Sequence, residues 1–577
     1  MIDAKINNVQ TKAAPGTTVL EAARQVGINI PTLCHLKMDG INITNKAEVC
    51  RVCMVDVAGC ENSMPACTTE ITAGMEVFTN TSRAVQARRA NLERILANHP
   101  KDCLLCKRNL NCDLQKLSAD MGIREVSNTG IRVKLPKDDS SHSIVRDMEK
   151  CILCHRCVTM CGEVQTVGVY SVAQHGSEEI IETACGNTLH ETACTFCGQC
   201  VSVCPTGALV EIDNTANVWD AINDPDKYVV VQTAPSIRVS LGEAFGMPAG
   251  TQVTGKMVTA LRSLGFDKVM DTAFGADVTV MEEASEFMHR LEHGGKLPII
   301  TSCCPAWVKF IEHQFPGLLY MPSSCRSPHQ IFGSIAKTYL AEKLGVDPKK
   351  MVVVSVMPCL SKKYEAARDE LSHQSYGRDV DYVISTRELA RMIKESGIGF
   401  TALPDSDFDT LMGESTGAGV GFGTTGGVIV AVLRTVAAWL DGKPPEDINF
   451  TELRGLKGIR EGTVTIGGKT INIGIAHGLG NARKLLEDVQ SGKANYHAIE
   501  IMACPGGCIG GGGQPYHGSD MTIIAKRSKA LRGVDEGKPR RMAHENAELQ
   551  KLYDEFLGEP YGKKAHELLH TEFVKRG

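Results

Sequence analysis

The sequence predicts a large α/β domain, two lobes around parallel and mixed sheets, preceded by several small α+β domains rich in cysteine. Two observations carry this. From about Tyr228 buried strand-like runs alternate with helical patterns, and before that point the cysteines fall into closely spaced sets. A chain of 577 residues has room for several domains and a sizeable core. Its 43% hydrophobic and 22% charged residues are ordinary for a globular protein. A net charge of −5, without a basic block, argues against nucleic acid as a partner. The opening MIDAKINNVQTKAAPGTTV has no apolar signal core and no twin arginine. The most apolar helical stretch, Val428–Leu440, contains Arg434 and is too short for a bilayer. The cytoplasm is therefore the expected home, with no membrane partner. In a reduced compartment, 23 cysteines read as metal ligands before they read as disulfides.

The first set is Cys34, Cys50, Cys53 and Cys67. Ile2–Gln10 alternates like a strand, and Thr17–Val26 follows a Pro-Gly turn as a helix. Glu48–Val57 puts two of the cysteines on a loop entering a strand. Four thiolates suit a [2Fe–2S] rhombus, with zinc as the competing occupant. The set resembles the plant-type ferredoxin domain at the front of complex I large subunits and many hydrogenases, with wider spacing between the first two ligands. The second set, His99-x3-Cys103-x2-Cys106-x5-Cys112, suits zinc or iron by composition. It resembles the His-ligated [4Fe–4S] module of the same proteins. An imidazole in place of a thiolate removes negative charge and raises a cluster's potential.

The third set is an internal repeat. Cys151, Cys154, Cys157 and Cys161 are followed by Cys194, Cys197, Cys200 and Cys204 in the same spacing, the second run ending in Pro205. This is the two-cluster bacterial ferredoxin pattern, in which the last cysteine of each run serves the other cluster. Cys151, Cys154, Cys157 and Cys204 form one ligand set, and Cys194, Cys197, Cys200 and Cys161 the other. Gly162 replaces the proline of the first run, and the insert between runs is long. One [2Fe–2S] and three accessory [4Fe–4S] clusters would make an electron wire, which needs a terminus.

In the large domain the expected strands include Lys227–Thr233, Leu297–Ser302, Met351–Met357 and Ile471–His477, with helices such as Gly255–Leu264 and Val278–His293 between them. Three cysteine-bearing loops each follow a strand-like run: Thr301-Ser-Cys-Cys-Pro-Ala-Trp307, Met357-Pro-Cys-Leu-Ser-Lys-Lys-Tyr-Glu365, and Glu500 to Pro515 with Cys504, Cys508 and a glycine run. Such loops are where α/β proteins place ligands. Together they resemble the H-cluster signatures of iron-only hydrogenases, and the resemblance covers essentially the whole chain.

The resemblance implies an iron hydrogenase, hydrogen:ferredoxin or hydrogen:NAD(P)+ oxidoreductase, working as a catalytic subunit on H2 and protons. Cys304, Cys359, Cys504 and Cys508 would hold a [4Fe–4S] cube, with Cys508 bridging to a two-iron subsite bearing CO, cyanide and azadithiolate. Lys362, Ser236 and Pro235 would cradle the cyanides. Met357, Met502, Phe422 and Pro328 would pack around the diatomic ligands. Cys303, surplus to the cube, would carry protons, with a path through Glu283, Ser323, Glu286 and Arg290. Glu365 is a structural neighbour. Electron partners would be ferredoxin or flavin- and NAD(P)-binding hydrogenase subunits. The implied domains are 1–80 ([2Fe–2S] ferredoxin), 81–135 (the [4Fe–4S] module with one histidine and three cysteine ligands), 136–215 (two-cluster ferredoxin), 216–515 (H-cluster catalytic domain) and 516–577, a wrap like the family's small subunit.

Each of these residues also has a plainer reading. Met357 and Met502 alone would be core filling, and Glu283, Glu286 and Arg290 a solvated helix face. Cys60, Cys185 and Cys325 are left over, and His566 and His570 read as surface or capping groups. Gly421-Phe-Gly-Thr-Thr-Gly426 fits a dinucleotide fingerprint but follows no strand. Gly250–Lys256 fits a phosphate loop except that Met257 stands where Ser or Thr belongs. An electron-relay subunit, an iron–sulfur assembly factor and a hydrogen sensor are the competing functions. The three loops disfavour the first, the N-terminal cysteine modules and full TSCCP the second, and Cys303 the third.

Overall fold

A computed structural model describes residues 1–38, 43–45, 48–126, 130, 135–174 and 176–576. At the front, Ile2–Ile6 pairs antiparallel with Val9–Ala13 and parallel with Glu76–Phe78, extended by Met54–Val57. Helix Val19–Gln25 opens with a Thr18/Glu21 capping box and buries Val19, Leu20, Ala22 and Ala23 on this sheet. Helix Ser82–Asn98 then ends at His99, which is extended (φ −88°, ψ 140°). Pro100 disfavours helical backbone in the residue before it, so it presents His99 at the helix end.

The two cysteine runs share one backbone shape. Leu153 and His155 in the first, and Phe196 and Gly198 in the second, hold positive φ at matching places. Leu153 N–H donates to Cys151 Sγ at 3.3 Å and Phe196 N–H to Cys194 Sγ at 3.4 Å. The long insert contains a hairpin, Tyr170–Ala173 on Ile180–Thr183.

The large domain has two four-stranded sheets. In one, Lys268–Asp271, Tyr228–Thr233, Met351–Met357 and Tyr382–Ser385 lie side by side, all parallel. Its central strands read as mostly apolar runs, broken only by Gln232, Thr233 and Ser355, because both faces are covered. In the other, Ile299–Ile300, Ala498–Met502 and Lys469–His477 are parallel, and Ile459–Ile466 closes the edge antiparallel. The expected strand at Leu297–Ser302 shortens to two residues: Pro298 cannot donate to the ladder, and beyond Thr301 the chain leaves the sheet. Helix Thr272–Glu292 starts earlier than expected and is buried along most of its length. Helix Gly427–Asp441 contains Arg434, which is 1% exposed and bonded to Asp535 at 3.0 and 2.8 Å, so the apolar stretch is core. No helix among the described residues is long and apolar enough to cross a membrane.

Candidate active site

The carboxyl ends of both sheets point into one cavity. The strand ending at Thr233 delivers Ala234, Pro235 and Ser236; the one ending at Met357 delivers Pro358, Cys359 and Lys362. Cys303 comes from the loop after Ile299–Ile300, and Cys508 from the loop after Ala498–Met502. Thr272, Ala276, Pro328, His329, Phe422 and Gly423 complete the wall. Met502 lies in the adjoining apolar cluster with Ala276 and Phe422, against Cys303.

Lys362 Nζ donates to the Cys303 carbonyl at 3.0 Å and to Glu365 Oε2 at 2.7 Å. The same carboxylate oxygen takes Ser327 Oγ at 2.9 Å and meets His329 Nε2 at 2.5 Å. Burial raises the Glu365 pKa, but Lys362 and His329 overcome it and hold the carboxyl at about 2. Glu365 is therefore an anion that fixes the lysine head at the cavity. Gln514 Nε2 steadies the opposite rim, donating to Ser236 Oγ at 3.2 Å.

Cys304, Cys359, Cys504 and Cys508 converge. Burial pushes the Cys504 thiol well up, and Cys359, Cys304, Cys197 and Cys508 push in the same direction. Crowded, desolvated thiols of this kind suit a metal cluster that binds them as thiolates.

Cys303 is packed beneath this site, its thiol pushed well up by burial and then by Glu283. Glu283 and Glu286 are each 2% exposed, which rules out the solvated helix face. Ser302 N–H lies 3.5 Å from Glu283 Oε1, and among the described residues Glu283 Oε2 has no hydrogen-bond partner. Burial, then the Glu286 charge, raises Glu283 to about 8. Outward, Ser323 Oγ donates to Glu286 Oε2 at 2.7 Å, and Arg290 Nη2 to Glu286 Oε1 at 2.5 Å. Arg290 also donates to the Met321 and Pro322 carbonyls at 3.1 Å each.

The sequence reading missed a second buried network. Ser324 Oγ meets His570 Nδ1 at 2.8 Å, His570 Nε2 meets Glu282 Oε2 at 3.0 Å, and Tyr553 donates to Glu282 Oε1. His570 is thus not a surface group: the C-terminal segment folds back and buries it, while His566 stays exposed and stacks on it at 4.7 Å. Nothing local marks this partnership, since 288 residues separate His570 from Glu282. The glycine-rich fingerprint is also explained. Glu500 accepts the N–H groups of Gly426, Val428 and Ile429 at 2.5–3.0 Å, so a carboxylate occupies the helix start that would otherwise favour phosphate.

Upstream, Cys161, Cys194, Cys197 and Cys200 line one cavity. His99, Cys103, Cys106 and Cys112 line another. Cys157 is pushed well up by burial, then by Cys154, Cys151 and Cys204. Cys53 and Cys67 lie 3.4 Å apart, and Cys34 pairs with Cys50. Cys60 and Cys185 are exposed; Cys325 is buried, its N–H donating to Ser323 Oγ at 3.1 Å.

Residues 227–512 match the family model of the iron only hydrogenase large subunit, C-terminal domain. The chain is 51% identical, over 100% of its length and 99% of the relative's, to the NADP-reducing hydrogenase subunit HndD of Solidesulfovibrio fructosivorans. It belongs to the iron-only hydrogenase family. Iron hydrogenase 1 of Clostridium pasteurianum is 40% identical over 99% of both chains. A solved single-residue variant of the [FeFe]-hydrogenase HydA1 of Chlamydomonas reinhardtii superposes with a TM-score of 0.58 at 41% identity, over 63% of this chain and all of that one. Residues 521–576 match the iron hydrogenase small subunit, 1–82 a 2Fe-2S iron-sulfur cluster binding domain, 88–127 the NADH-ubiquinone oxidoreductase-G iron-sulfur binding region, and 141–210 the ferredoxin-like domain of NADH-quinone oxidoreductase subunit 3. The chain is the catalytic subunit of an iron hydrogenase with accessory iron–sulfur domains.

Proposed function

We propose that the chain catalyses reversible H2 oxidation and proton reduction at an H-cluster held by Cys304, Cys359, Cys504 and Cys508, and exchanges electrons through four accessory clusters. The observation that carries this reading is the single cavity where Cys303, Cys359, Cys508 and Lys362 meet from three separate loops. The H-cluster supplies the iron at which dihydrogen is split or formed. The chain's own residues bind it, keep water off it and move protons. Lys362, fixed by Glu365, offers an N–H donor, and Ser236, fixed by Gln514, offers a hydroxyl. Met357, Phe422, Pro328 and Pro235 give an apolar wall, with Met502 behind it. Cys303 hands a proton to Glu283, and Ser323, Glu286 and Arg290 continue towards the surface. Glu283 suits the relay because a carboxyl near 8 is populated in both protonation states around neutral pH.

For the wire, Cys34, Cys50, Cys53 and Cys67 hold a [2Fe–2S] cluster in residues 1–80, and His99, Cys103, Cys106 and Cys112 a [4Fe–4S] cluster in 81–135. Two more lie in 136–215. Residues 216–515 form the catalytic domain and 516–577 its wrap. Cys197 raises the Cys504 thiol and is itself raised by Cys304, and this proximity supports a second ferredoxin cluster beside the cube. The named relative is an NADP-reducing hydrogenase subunit, so flavin- and NAD(P)-binding subunits are the proposed partners, with ferredoxin the other carrier, in the cytoplasm. The test is an anaerobic assay of protein matured with its two-iron subsite, supplied with reduced methyl viologen. H2 evolution supports the reading. A fully iron-loaded, matured enzyme that evolves none in this assay and takes up none with oxidised viologen contradicts it.

A further inference from the structure

Arg108 stands between ligands Cys106 and Cys112 and is only 2% exposed. Its guanidinium lies 3.5 Å from the centre of the Tyr516 ring. Arg387 also covers that ring, at 4.3 Å, while binding Glu211 through two hydrogen bonds of 3.0 and 2.7 Å. Arg108 has no such anion. Among the described residues its Nε and Nη1 make no hydrogen bond, and no carboxylate pairs with it. Its side chain lines the cavity formed by His99, Cys103, Cys106 and Cys112. Lys150, on the same wall, is already paired with Asp147 at 2.7 Å. Gly207 closes the pocket: a Cβ there would lie 2.6 Å from Cys106 Sγ. A buried guanidinium with idle donors is costly unless an anion takes its N–H groups.

We propose that Arg108 donates Nε–H and Nη1–H to sulfur atoms of the [4Fe–4S] cluster at this site and raises its reduction potential. The proposal rests on reading the site as an iron–sulfur cluster and not zinc. One-electron reduction adds a negative charge and breaks no bond, so a fixed cation with N–H groups aimed at sulfur favours the reduced form. Arg108 acts in the same sense as the neutral His99 ligand. It is a tuning residue held in place by Tyr516, not a catalytic one.

The test is an anaerobic potentiometric titration of the holoenzyme followed by electron paramagnetic resonance. The relevant signal is the one that Cys103→Ser removes. In Arg108→Gln the reduced-to-oxidised ratio of that cluster at fixed potential is expected to fall about tenfold, equivalent to about 59 mV for one electron. Arg108→Lys, which keeps the charge and loses the fork, should fall between that and the parent. If Arg108→Gln fails to retain the cluster, Arg108→Lys alone decides. An unchanged midpoint in a variant with full iron content overturns the proposal. Zinc at this site in the parent would instead overturn the cluster reading on which it rests.

Discussion

Cys303 and Glu283 share one environment and answer to different measurements. Cys303 adjoins Cys304 in sequence and is not among the four cysteines proposed to hold the cluster, so replacing it should stop proton delivery and leave the metal in place. Cys303→Ser is expected to lower H2 evolution at least about 100-fold with unchanged iron content; near-parental turnover would remove Cys303 from the path. Glu283 carries a sign that pH can test. Its carboxyl is raised from 4.5 to about 8, first by burial and then by Glu286. The folded state therefore holds this proton more tightly than the unfolded chain. The resulting stability is intact below pH 4.5 and is lost as pH rises through about 8. Glu283→Gln has no such loss. Its thermal midpoint should improve relative to the parent between about pH 5 and 8.5, by the equivalent of about 1 kcal/mol per pH unit inside that window. A pH-independent difference would mean that the carboxyl titrates normally.

Elements differ in how far their residues could be read in advance. The iron–sulfur domains were legible because their cysteines recur at short spacing, and the strands Tyr228–Thr233 and Met351–Met357 because parallel strands covered on both faces are nearly continuous apolar runs. The C-terminal segment was legible as a small-subunit-like stretch, but its anchor was not, because His570 on Glu282 and Ser324 joins parts far apart in sequence. That anchor ties the segment to helix Thr272–Glu292 of the large domain. Removing it with His570→Leu leaves the Glu282 carboxylate with fewer partners in a buried site and should cost about 1–3 kcal/mol. Faster hydrogen exchange across Ala547–Leu552 and Lys563–Leu569 would show it; parental exchange rates would mean that the network is dispensable. The glycine run from Gly506 to Gly513 has little side-chain volume, which leaves room for a cofactor. The structure adds a second reason: a Cβ on Gly511 would strike the Pro358 carbonyl, so the run also lets two cysteine-bearing loops touch.

At the scale of the whole molecule, the question is how a buried site exchanges electrons with the outside. The ferredoxin-like region and the catalytic loop meet backbone to backbone. A Cβ on Gly512 would lie 2.6–2.7 Å from three backbone atoms of Gly198, the residue after Cys197. Gln199 Nε2 donates to the Gly510 carbonyl at 2.9 Å and Gln165 Nε2 to the Ala503 carbonyl at 3.0 Å, fixing the same seam. Gly512→Ala must separate the two segments and lengthen the last electron step. We expect viologen-linked turnover to fall several-fold more than H2/D+ exchange, which needs no electron from outside the site. Equal losses in both would show that the seam is only structural.

Cys304, Cys359, Cys504 and Cys508 are proposed to hold an H-cluster in the cavity between the two sheets. Infrared spectroscopy of the anaerobically matured protein tests it most directly, in the window where bound CO and cyanide absorb. Sharp bands that shift under H2, and that Lys362→Met perturbs, are the expected result. A fully iron-loaded, matured protein without such bands would contradict the hydrogenase reading and leave an electron-relay protein.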